Sequence, residues 1–133
     1  MKPTPSPSCQ MNDFFRSRLT QVINMNHELV RLADRVDWSH IDTQLQPFFA
    51  NVGRPAIPSR LMVGLHLLKS MHCLSDEAVC ELWIENPYYQ YFCGEEFFQH
   101  RLPIQRSSMT HWRKRVGEDF FQKLLQESLR IAF

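Results

Sequence analysis

Leu61-Met62-Val63-Gly64-Leu65-His66-Leu67-Leu68-Lys69-Ser70-Met71 is the most hydrophobic run of the chain, and it decides the fold. Its apolar residues fall on most sides of a helical wheel rather than on one stripe, so a helix here must be surrounded by other elements. The run is far shorter than the roughly 20 residues that cross a bilayer, so what surrounds it is protein. His66, inside it, reads as a core histidine with hydrogen-bond partners rather than as a ligand. Pro58 or Ser59 opens the helix.

Upstream, Asn51-Val52-Gly53-Arg54-Pro55-Ala56-Ile57-Pro58 is an interior linker over 51–58, because each proline biases its predecessor away from helix and Gly53 adds freedom. It sets off an N-terminal helical subdomain over 12–50. There, Asp13 is a plausible cap for a helix burying Phe15, Leu19, Val22 and Ile23. A second helix from about Asn26 repeats Leu29, Leu32 or Ala33, and Val36. A third follows Asp37, with Trp38, Ile41 and Leu45 inward and Pro47 near its end. Residues 1–11 alternate Pro with Ser and Thr, which leaves little apolar surface to offset ordering entropy and predicts a disordered tail.

Downstream, Ser75-Asp76-Glu77 reads as an N-cap followed by acids suited to the positive end of a helix dipole, and Val79, Leu82 and Trp83 are the inward positions. Asn86-Pro87 restarts the chain into an aromatic turn, Tyr88, Tyr89, Tyr91 and Phe92, that Gly94 ends. A loop through Phe97, Phe98 and Pro103 leads to Ser107-Ser108-Met109-Thr110-His111-Trp112-Arg113-Lys114-Arg115-Val116-Gly117. Ser107 suits an N-cap and Gly117 a left-handed stop. Phe120, Phe121, Leu124, Leu125 and Leu129 then mark a last amphipathic helix. With 44% hydrophobic residues and Gly 4 in 133 residues, the expectation is an all-α, multi-helical domain. Its C-terminal half, 59–133, is helix-turn-helix-like.

Within 107–117, Met109, Trp112 and Val116 share one stripe that faces a core. Ser108, Thr110, His111, Lys114 and Arg115 point outward, with Arg113 at the margin. Hydroxyls, an imidazole and cations on one exposed face can donate to phosphate oxygens and to base acceptors in a major groove. The net charge of +1 conceals a dipolar layout. No Lys or Arg lies between Lys69 and Arg101, where Asp76, Glu77, Glu81, Glu85, Glu95 and Glu96 fall, and no acid lies between Arg101 and Arg115. Double-stranded DNA is therefore the expected partner, contacted by Arg106, Ser107, Ser108, Thr110, His111, Arg113, Lys114 and Arg115.

Other chemistries find less support. Cys73, Cys80, Cys93 and His100 match no zinc spacing, and cysteine is a common small core residue, so neither a metal site nor a cofactor is expected. No glycine-rich phosphate loop is present, and no strand pattern gathers carboxylates for two-metal hydrolysis. The four cysteines, in a chain whose N-terminus lacks a signal peptide's apolar core, are read as reduced thiols of a cytoplasmic protein.

Four ordered motifs carry a family resemblance: Arg54-Pro55-Ala56-Ile57-Pro58-Ser59-Arg60-Leu61-Met62-Val63-Gly64-Leu65, Leu74-Ser75-Asp76-Glu77, Trp83-Ile84-Glu85-Asn86-Pro87-Tyr88-Tyr89-Gln90-Tyr91-Phe92-Cys93-Gly94, and the stretch 107–117. Together they look like the N-terminal domain of bacterial DDE transposases of the "insertion sequence five" type, over most of the chain from about Asn24. The resemblance implies recognition of terminal inverted repeats during DNA transposition. It also implies a separate ribonuclease-H-like domain holding the acidic triad and its divalent metal, and the triad has no matching positions here. The expectation is a truncated transposase part that binds DNA and does not cut it. The alternatives are a helical module that dimerises or inhibits a full-length transposase, through the apolar face of 120–133, or a decayed fragment.

Overall fold

The computed structural model describes residues 17–49, 57–105 and 107–132. The tail expected over 1–11, Asp13, Phe15 and most of the linker expected over 51–58 lie outside them. Among the described residues eight helices follow one another: α1 Leu19–Val22, α2 Glu28–Arg35, α3 Trp38–Phe49, α4 Ser59–Met71, α5 Asp76–Glu85, α6 Pro87–Phe92, α7 Ser107–Val116 and α8 Glu118–Ala132. An isolated bridge between Arg18 and Phe97 is the one β-type pairing among the described residues, and the protein is all-α.

The hydrophobic run 61–71 forms α4 together with Ser59 and Arg60, and every residue from Leu61 to Leu68 is buried. Helices pack around it on all sides: α3, α5 and α8 rest against it, α2 packs on α6, and α7 lies against α3 and α8. A single hydrophobic core runs from Leu29 to Ala132 and draws on both sides of residues 50–56. At Gly64 the end of α6 comes so close that a Cβ would stand 2.7 Å from Cys93 Sγ. The glycine is what permits that approach. Burial pushes the Cys93 thiol well above its usual range, so it stays protonated, and Cys80 is likewise a core residue. Among the described residues no helix is long and apolar enough to cross a membrane.

Local capping chemistry sets the boundaries. Ser75 Oγ accepts from the Ala78 amide at 3.0 Å, and Asn86 Oδ1 accepts from Tyr88 and Tyr89 at 2.9 and 3.3 Å, with Pro87 in the first turn. Gly94, at φ +96°, closes α6 through a bond from the Glu95 amide to the Gln90 carbonyl. Arg60 completes that terminus: its guanidinium donates to the Phe92 and Tyr91 carbonyls at 3.2 and 3.3 Å and lies over the Trp38 ring.

Four expectations change. The first helix continues only to Val22, and Ile23 is already extended, so the helical period stops; Leu19 and Ile23 bury while Val22 is 66% exposed. On α5 the inward stripe is Val79, Cys80 and Trp83, which turns Leu82 toward solvent. On α8 it is Phe121, Leu124, Leu125, Ser128 and Ala132, and Phe120 is left at the rim beside Phe48. Ser107 is the first residue of α7 rather than its cap.

Candidate nucleic-acid interface

Helix α7 is held by its apolar stripe. Met109, Trp112 and Val116 are buried, and the Trp112 ring sits among Phe49 of α3, His66 of α4 and Phe121 of α8, at centroid distances of 5.5, 6.2 and 5.1 Å. Met109 Sδ meets Cys80 Sγ of α5 at 3.7 Å. Gly117, at φ +93°, ends the helix with its amide bonded to the Arg113 carbonyl at 2.9 Å. Apart from its chain neighbours no described residue comes within 4 Å of where its Cβ would be, so glycine is favoured there by conformation rather than by space.

Burial on one side defines what remains outside. Ser107, Thr110, His111 and Lys114, at i, i+3, i+4 and i+7, are exposed on the face opposite Trp112, and Ser108 is half-buried at its edge. Arg115 is exposed too, but it is tethered: Nε donates to the Phe48 carbonyl at 3.0 Å and its guanidinium lies over the Phe49 ring. One donor is thereby spent on the end of α3, which leaves four N–H groups in a fixed fork. Arg106 lies outside the described residues.

Arg113 is placed differently. It is half-buried and turned inward, with Nη1 and Nη2 reaching the Asp76 carboxylate at 3.0 and 2.9 Å in a fork-to-fork pair. Nη1 also contacts His66 Nε2 at 3.1 Å, and Nη2 reaches Thr110 Oγ1 at 3.3 Å. On the far side, Lys69 Nζ meets Asp76 Oδ1 at 2.7 Å, and His66 Nδ1 is 2.7 Å from the Met62 carbonyl. Only a protonated Nδ1 can satisfy a carbonyl, so Nε2 is the acceptor for Arg113. Burial lowers the His66 pKa to about 4, and the Arg113 charge adds to the shift, so the ring is neutral at pH 7. The hydrogen bond from Arg113 is the main reason Asp76 is held at about 2. Helices α4, α5 and α7 are thus joined by one satisfied polar chain.

Sequence reading assigned Asp76 to the α5 dipole and His66 to the core, but did not connect either to Arg113. The available signal was the angular position of Arg113, between the dry stripe and the wet face, where a guanidinium needs a partner. Gln90 was missed altogether. Fully buried, its amide donates to the Trp83 carbonyl at 3.0 Å and the Gln99 carbonyl at 2.9 Å, and accepts from the Gln99 amide at 2.7 Å. It fastens the loop that leads into α7 to the end of α5.

The family described as transposase domain (DUF772) matches residues 17–115. The chain is 52% identical over 132 residues to a Rhizobium meliloti protein described as "Uncharacterized protein ORF8 in nfe locus", an alignment covering 99% of this chain and 63% of that protein. The chain therefore spans less than two thirds of that relative's length. No solved structure matches.

Proposed function

The chain belongs to the transposase domain (DUF772) family, and from that premise we propose that it is the part of an insertion-sequence transposase that holds duplex DNA at the element's terminal inverted repeats. The observation that carries this reading is the exposed donor face of α7, with Ser107, Thr110, His111 and Lys114 outward and Trp112 seated behind them. Ser107, Ser108, Thr110, His111 and Lys114 address base edges, while Arg115 and Arg106 address phosphates. Arg113 acts from behind: it fixes the pitch of α7 through Asp76 rather than touching DNA. Strand cleavage and its divalent metal belong, in this reading, to a separate domain.

The test is fluorescence anisotropy on a duplex carrying the terminal repeat and on a random duplex. The double variant Lys114→Gln/Arg115→Gln should weaken both duplexes, the terminal-repeat duplex more because Lys114 addresses bases, and the lost Arg115 phosphate contact should make the log-affinity against log-salt slope shallower by about 1. His111→Ala should narrow the gap between the two duplexes. Unchanged binding in both variants would reject the α7 assignment.

A dimerising or inhibitory module is the competing reading, and α8 bears on it. Phe121, Leu124, Leu125 and Ala132 are buried within the same chain, so much of the described apolar face that motivated a partner helix is already covered, with Phe120 left at its rim.

A further inference from the structure

On elements other than α7, the side of α2 that carries Arg31 and Arg35 borders a groove of about 680 Å³, closed by the end of α4 and the start of α6. Its polar lining is dominated by hydrogen-bond donors. Arg31 and Arg35 stand one turn apart on α2, both exposed, and neither is ion-paired among the described residues. Like charges at i, i+4 repel, so the two guanidinium groups favour a shared counter-ion.

His27 Nδ1 and Asn86 Oδ1 are already occupied as acceptors. His27 Nδ1 accepts from the Leu29 amide at 3.1 Å, which puts the ring proton of the neutral form on Nε2 and makes that nitrogen a donor. The His27 ring is held flat against Tyr88 at 3.9 Å. His72 is engaged through Nδ1 with the Tyr89 hydroxyl at 2.5 Å, leaving Nε2 uncommitted. Asn86 Oδ1 is consumed by the α6 amides, so its NH₂ donors are what it can offer. Glu28 is the one carboxylate among the described lining residues.

Two cations one turn apart, with imidazole and amide donors around them, match an oxyanion with several acceptor oxygens. We propose that this groove binds phosphodiester groups of DNA, with Arg31 and Arg35 as the phosphate ligands and His27, His72 and Asn86 as supporting donors. The proposal rests on the reading of the chain as a DNA-holding domain, and adds a second backbone contact that shares no residue with α7. Glu28 weakens the contact by repulsion.

The experiment pairs two probes, a random 20-base-pair duplex read by anisotropy and inorganic pyrophosphate read by NMR of the histidine ring protons. Arg31→Gln/Arg35→Gln, which keeps helix propensity, should lower duplex affinity about ten-fold and make the salt slope shallower by about 2. Glu28→Gln should tighten duplex binding, and pyrophosphate should shift the His27 and His72 resonances in the parent protein but not in the arginine variant. Far-ultraviolet circular dichroism and thermal unfolding verify that each variant is folded. Parental affinity and slope in the folded arginine variant would overturn the proposal, and if pyrophosphate still shifts the histidines, the groove takes a free phosphate compound instead. The Lys114→Gln/Arg115→Gln variant separates the two ideas. Loss there alone leaves α7 standing without the groove, and loss in the arginine variant alone leaves the groove standing without α7.

Discussion

His66 and Asp76 make the fold sensitive to acid in two separate ranges. Above pH 6.5 the His66 ring is neutral in both folded and unfolded chains. Between 6.5 and about 4 the unfolded ring takes a proton that the buried ring refuses, so stability declines as pH falls, by about 3 kcal/mol over the whole shift. Asp76 behaves as a depressed carboxylate: its pairing with Arg113 and Lys69 contributes stability above the ordinary value of 3.8 that disappears as pH falls toward 2. Urea unfolding at pH 7, 5 and 4 should trace the first decline. In His66→Gln, which has no proton to gain, the curve between 6.5 and 4 should flatten, and an unaltered slope would mean that another group carries the titration. At single residues, sequence identified His66 as a core histidine. Its donor could not be read, because Arg113 is 47 residues away in the chain.

Among the elements, α4 depends on a close crossing and α7 on a face. Gly64→Ala brings a methyl to 2.7 Å from Cys93 Sγ and 3.2 Å from its backbone Cα, and backbone cannot swing aside as a side chain can. Alanine's better helix propensity offsets at most about 1 kcal/mol of that clash, so the variant should be less stable by about 1–2 kcal/mol in chemical denaturation. A stabilised Gly64→Ala would show that α4 and α6 are further apart than described. The face of α7 was legible because a 3.6-residue period sorts Met109, Trp112 and Val116 from Thr110, His111 and Lys114 without reference to any other element. The same period misplaced Leu82 and Phe120, each adjacent to a correct stripe, because how far an apolar arc is covered depends on how closely the neighbouring helix lies, and it misplaced Val22 because the helix ends there.

For the molecule as a whole, the decisive feature is that one core takes residues from α2 and α3 as well as from the helices after residue 58. Trp38 packs edge-on against Phe92 at 5.4 Å, and Phe49 stacks on Trp112 at 5.5 Å, so the early helices wall in both α6 and α7. Tryptophan fluorescence and far-ultraviolet circular dichroism should therefore report one coincident unfolding transition. Two separated transitions would mean that the helices on either side of residues 50–56 fold independently.

Period, cap and breaker are local properties of a backbone with two soft dihedrals per residue. The sequence by itself therefore determined an all-α chain, a central helix at 61–71, boundaries at Ser75, Asn86, Gly94 and Gly117, and the side of α7 that faces out. The tertiary structure alone decided which acid meets Arg113, which glutamine fastens the loop before α7, and that Arg31, Arg35, His27 and His72 border one groove. Those are meetings between residues far apart in the chain, and they are fixed by how helices stack on a shared core rather than by any pattern along one of them.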